Sequence, residues 1–154
     1  GNDSRIYICP HCKKPSFFKA ALQIPGIASG KKVLHLPETI EKLYEEARNS
    51  IASNSYTGAV LLCRKLLMNI AVELKAKEGE SFLAYVTYLA DKGYVPPNGK
   101  GWVDHIRKKG NEANHEIVLM TLNDAEELIQ FSEMLLRFIY EFPNKIPKTE
   151  VKDL

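Results

Sequence analysis

Between Val103 and Ile117 the chain gathers His105, His115, Arg107, Lys108, Lys109, Asn111, Asn114 and Gly110, a density of such residues found nowhere else in it. These are the side-chain types that move protons near neutral pH and that hold anions. If the stretch is helical, Arg107 and Asn111 lie one turn apart and His115 one turn further on, so the three share a face. Gly110 predicts a bent helix, or a helix that breaks and restarts. The same residues also fit a charged helix end, with Lys108 and Lys109 suiting the C-terminal dipole and Gly110 as the stop.

A second constellation stands near the start, in Ile8-Cys9-Pro10-His11-Cys12-Lys13-Lys14-Pro15. Two cysteines at this spacing form a zinc knuckle, a tight turn between short β segments that aims two thiolates at one metal. Structural zinc takes four ligands, so Cys9 and Cys12 are half of a site. His11 and His35, an upstream pair or a partner chain are the candidates for the rest. The alternative is a ribbon remnant with two free thiols.

The elements that must carry these residues are predicted to be mainly helical. Composition is that of an ordinary globular protein, with 154 residues, 45% hydrophobic and 26% charged. With 21 basic and 19 acidic side chains, it is no global polycation, so any nucleic-acid contact has to be local. No run approaches the roughly 20 apolar residues of a membrane span, and no leader pattern opens the chain, which places it in the cytoplasm. It starts Gly1-Asn2-Asp3-Ser4 without methionine, which leaves room for residues upstream. Three cysteines, an odd number, make a poor disulfide framework.

The expected divisions are a partial zinc knuckle over 1–24, a connector over 25–37, a helical bundle over 38–142 and a tail over 143–154. Pro37 and Glu38 open a first helix carrying Ile40, Leu43, Tyr44, Ala47 and Ile51. Asn54, Ser55 and Thr57 offer caps for a second, which runs to about Lys77 and ends near Gly79. That helix is apolar on nearly every side and should be the most buried. Cys63 reads as a small core residue within it. Arg64, near the same face, needs a carboxylate partner, with Glu45, Glu46 and Asp104 as candidates; a buried ion pair fixing helix register is the reading.

Ser81 caps a third helix with Phe82, Val86 and Leu89 inward, closed by Gly93. Pro96, Pro97 and Gly99 exclude regular structure from the following loop. Trp102 and Tyr94 read as core rather than base-stacking residues. Thr121 with Asp124 caps a last helix from Leu122 through Tyr140, ended by Phe142 and Pro143. The pairs Glu45-Glu46 and Glu126-Glu127 point to different sides of a helix and form no carboxylate dyad. The chain has no phosphate-binding glycine loop, no H-E-x-x-H, no G-x-S-x-G and no dinucleotide fingerprint.

The order of these features, from the C-P-H-C knuckle through Y-E-E-A-R (Tyr44 to Arg48), A-V-L-L-C-R-K-L-L (Ala59 to Leu67), I-R-K-K-G-N-E-A-N-H-E (Ile106 to Glu116) and T-x-x-D-A (Thr121 to Ala125), resembles the prokaryotic domain-of-unknown-function family four-one-four-five, of the HEPN group. The resemblance runs from about Pro37 to Phe142. It implies an all-α, HEPN-like up-and-down helical bundle with a small N-terminal zinc-knuckle, ribbon-like β appendage. It also implies pairing as a homodimer, and attachment to restriction, toxin or other defence proteins. In the catalytic branch of the group an arginine and a histidine form a metal-independent ribonuclease site. Arg107 and His115 match the residue types, but seven residues intervene here, more than that pattern has. On this resemblance His115 would take a proton from a ribose 2′-hydroxyl, Arg107 would stabilise the phosphorane, Asn111 would orient either, and Lys108 and Lys109 would hold the RNA backbone. The leading expectation is a binding or regulatory module in a nucleic-acid-linked context, with an endoribonuclease and a purely structural dimerisation domain for a separate effector as alternatives.

Overall fold

The apolar middle of the second helix decides the architecture, because a helix with no polar face has to be surrounded. In the computed structural model, which describes residues 3–115 and 119–146 and, at 98, 100 and 109–115, the backbone alone, that helix is the hub. Among the described residues the main helices run in the order α1 (Glu38–Ala52), α2 (Tyr56–Glu73), α3 (Phe82–Asp91), α4 (Lys100–His115) and α5 (Leu122–Leu136). Of these α2 packs against all four others. Its Ala59, Val60, Cys63, Leu66, Leu67, Ile70 and Ala71 are fully buried. Among the described residues no helix is long and apolar enough to cross a membrane.

Local chemistry sets the helix ends. Pro37 precedes α1, whose first turn carries Glu38 and Glu41 where the dipole favours negative charge. Ser81 Oγ accepts from Ala84 N at 3.2 Å and caps α3. Thr121 and Asp124 close the full capping box of α5. Three ends differ from expectation. Ser55 stands at the start of α2 but makes no side-chain cap, and Thr57 Oγ1 instead accepts from Met120 N at 2.9 Å. The same helix stops at Glu73, short of Lys77, because Lys75 turns left-handed at φ +75°. Toward the other end of the chain, α5 stops at Leu136, yet helical backbone continues past Phe142. A widened turn over Arg137–Glu141 leads into a last helical turn, Phe142–Lys145, with Pro143 near its start, where a missing N–H costs nothing.

The N-terminal part is a three-stranded antiparallel sheet, β1 (Ser4–Ile8), β2 (Pro15–Lys19) and β3 (Leu22–Ile24), in that order. It contributes no residue to the core, which begins at Val33.

Between sheet and helices, residues 26–34 form a strap whose peptide groups are recognised one by one. Gly26 N donates to Ala52 O at 2.7 Å. Arg48 donates to the carbonyls of Ser29 (3.1 Å) and Gly30 (3.0 Å), and Tyr44 OH to that of Lys31 (3.0 Å). Lys31 N donates to Glu133 (2.9 Å) and Leu34 N to Glu141 (3.1 Å). Val33 is buried beneath. The connector is thus bound along α1 and α5 by hydrogen bonds from residues far apart in sequence.

Glu141 is buried although charged, and it accepts from Lys145, from Leu34 N–H and from Arg137. The Lys145 hydrogen bond first, then the Leu34 N–H, hold its carboxyl below the ordinary value of 4.5. Its charged form therefore stabilises the fold above that value, and the contribution is lost as pH falls through the lowered one. Glu141→Gln is expected to lower stability at neutral pH and to flatten the loss on acidification below about 4.5, read by circular dichroism across an acid titration.

Candidate functional site

Buried residues orient α4. Val103 and Ile106 point into the core, and Trp102 lies edge-on to Phe131 of α5 with ring centroids 5.3 Å apart. This turns Asp104, Arg107 and Lys108 outward and sets His105 against α5. The helix runs unbroken from Lys100 to His115, so it does not stop and restart at Gly110. The cost of a helical glycine, about 1 kcal/mol against alanine, is small beside the burial of Val103 and Ile106 earlier in the same helix. A short 3-10 turn, Pro97–Gly99, leads directly into it where an irregular loop was expected.

Because α4 is continuous, backbone positions 107, 111 and 115 fall on one face, as the spacing predicts. The side chains of Lys109, Asn111 and His115 lie outside the described residues, and Lys108 is exposed. Arg107 Nη1 donates to Asp104 Oδ1 at 2.8 Å, while among the described residues its buried Nε has no partner. Beside it opens a cavity of about 350 Å³ lined by Thr87, Asp91, Pro96, Val103, Asp104 and Arg107. On another side of α4, His105 Nε2 meets Glu127 Oε2 at 2.6 Å, and Asn123 Nδ2 donates to Glu127 Oε1 at 2.8 Å. Sequence reasoning missed this His105–Glu127–Asn123 chain, because Glu127 has the pattern of solvated helix surface and its partner is 22 residues away. A larger cavity of about 620 Å³ lies elsewhere, lined by Lys65, Asn69, Glu73, Glu78, Glu80 and Tyr85. Three carboxylates there set it against phosphate.

A family model described as a domain of unknown function, DUF4145, matches residues 45–153. The chain belongs to this family. No curated protein and no solved structure matches it. The DUF4145 match takes in the end of α1 and all of α2 to α5, including the Arg107–His115 stretch, and leaves the sheet and the strap outside.

Within the DUF4145 region, Arg64 departs from expectation. It is 7% exposed, yet its ion pair with Glu45, Glu46 or Asp104 does not form. Glu45 pairs instead with Arg48 at 2.8 Å, and Asp104 with Arg107. The Arg64 guanidinium lies over the Phe82 ring, 4.6 Å from its centroid, and among the described residues its Nη1 has no partner. An aromatic face holds a cation where, among the described residues, no carboxylate pairs with it, and burial lowers the Arg64 pKa from its ordinary value. Cys63 is fully buried, and burial pushes its thiol up to about 12, which keeps it protonated and inert, as a core residue should be.

The Cys9–Lys14 turn outside the DUF4145 match is closed by two backbone hydrogen bonds. Lys13 N donates to Cys9 O at 2.9 Å and Cys9 N to Lys14 O at 3.0 Å, with Lys13 left-handed at φ +58°. The nearby backbone N–H groups, that of Cys12 first and then that of His11, lower the Cys9 thiol pKa below its ordinary value. Cys12 is exposed and Cys9 half-buried. Among the described residues no group of three or more histidine, cysteine or carboxylate side chains gathers at them.

Proposed function

We propose that the protein is a HEPN-like binding or regulatory module in a prokaryotic, nucleic-acid-linked defence or restriction setting, with α4 as its ligand-facing element and an associated effector protein or a second copy as partner. The observation that carries this reading over catalysis is the pairing of Arg107. A guanidinium tied to Asp104 at 2.8 Å has its charge already partly met by a carboxylate, which weakens what it can offer a phosphorane. Lys108 and Lys109 are the residues for phosphate contact, and such contacts set position and salt dependence rather than sequence.

The second reading, a metal-independent endoribonuclease using Arg107, Asn111 and His115, draws on the cavity beside Arg107 and on its unpartnered Nε. One experiment separates them. Wild type and His115→Ala are incubated with assorted RNAs in chelator, and cleavage and gel shift are read together. Binding without cleavage by either protein is the expected result, with Lys108→Ala/Lys109→Ala binding several-fold more weakly and with a shallower salt dependence. Cleavage by wild type that His115→Ala abolishes would establish the nuclease instead.

A further inference from the structure

We propose that two copies of this chain close one zinc site between them, each giving Cys9 and Cys12, with their N-terminal sheets stacked face to face. Two independent features call for the same partner. The first is the donor set. Cys9 and Cys12 sit in one tight turn, closed by Lys13 N to Cys9 O at 2.9 Å and Cys9 N to Lys14 O at 3.0 Å, and no third ligand gathers there among the described residues. Structural zinc needs four donors, and a second Cys-x-x-Cys turn supplies the missing two.

The second feature is the sheet itself. The register pairs Ile6 with Phe17 and Phe17 with Ile24, and Ile8 with Pro15. Side chains two apart on a strand share a face, so Ile6, Ile8, Pro15, Phe17, Leu22 and Ile24 lie together on one side. Tyr7 and Phe18 pack edge-to-face on the other. The first face is uncovered: Ile6 is 69% exposed, Ile8 60%, and Leu22 and Ile24 46% each. An apolar sheet face open to water on a three-stranded sheet is a face waiting for a partner.

A single symmetry operation meets both needs. A two-fold axis running along the strands, between two stacked sheets, buries the apolar face of each copy against the other. It preserves strand direction, so both Cys9–Cys12 turns arrive at the same end, where four sulfurs can surround one metal. On binding, the cysteine thiols release their protons to solvent and coordinate as thiolates.

The test is a titration of the reduced chain with cobalt(II) as a coloured stand-in for zinc, with native mass spectrometry on the zinc-loaded protein. The tetrathiolate spectrum should saturate at about half an equivalent of metal per chain, with a species of two chains and one zinc. Cys12→Ser should abolish both, and its helical circular dichroism should match wild type because the sheet adds nothing to the core. Ile6→Glu keeps every thiol and should weaken the complex at least tenfold; a titration like that of wild type would overturn the stacked arrangement. Saturation at one equivalent per chain, a single chain holding one zinc, or no tetrathiolate spectrum at all would each overturn the shared site.

Discussion

Gly30→Ala is expected to destabilise the protein by about 2–4 kcal/mol, combining a left-handed backbone with overpacking. Gly30 holds φ +75°, and a methyl group there would meet Ile129 Cγ2 at 2.7 Å and the Tyr44 hydroxyl at 2.8 Å. Neither neighbour can yield. Ile129 is fully buried in α5, and the Tyr44 hydroxyl is committed to the carbonyl of Lys31. The control is Gly79→Ala, which shares the strained backbone at φ +79° but has nothing within 4 Å of the new carbon. That substitution should cost about 1–2 kcal/mol. Urea unfolding of both variants reads the difference, and equal costs would mean that the strap lifts away at no penalty. A larger cost at Gly30 makes the strap, which lies outside the DUF4145 match, part of what stabilises the helices inside it.

The strap also marks where sequence reasoning stops. The helices α1, α2, α3 and α5 are legible because apolar residues recur at three- and four-residue spacing, and because Ser81 and the Thr121–Asp124 pair carry cap chemistry in their own side chains, whereas α4 reads as a helix only conditionally because Gly110 interrupts its pattern. The connector is different. Pro25, Gly26 and Gly30 announce irregular backbone, but the groups that bind it are Arg48, Glu133 and Glu141, up to 107 residues away, and each also reads as ordinary charged helix surface. The third strand is hidden for a local reason. The turn from β2 to β3 is Ala20-Ala21, with Ala20 at φ +50°, and it has none of the glycine, asparagine or aspartate that marks a tight hairpin.

The site shows the same division. Its face on α4 follows from spacing alone, whereas the partners of its charges do not. Of the three carboxylates offered to Arg64, Glu45 pairs with Arg48 and Asp104 with Arg107, each three residues along its own helix, and an i,i+3 pair needs no tertiary fit to form. The His105–Glu127 contact needed the packing of α4 on α5, which no local pattern encodes.

That packing can be tested where it is strongest. Phe131 is fully buried in α5 and meets Trp102 edge-to-face, 78° between ring planes. Phe131→Ala should cost about 3–5 kcal/mol, for the transfer of the ring and the cavity it leaves. Phe131→Leu keeps most of the volume and gives up mainly the ring pair, so about 1 kcal/mol is expected. Trp102 is the only tryptophan in the chain, so its fluorescence reports on this contact alone. In Phe131→Ala the emission should shift to the red under native conditions, as water reaches a ring that is half-buried in the wild type. The His105 and Arg107 positions follow Trp102 by about one turn of the same helix, so a start of α4 that loosens should also weaken RNA binding. Loss of stability with unchanged emission would instead mean that Val103 and Ile106 hold α4 unaided. The polar face would then be independent of the aromatic contact beneath it.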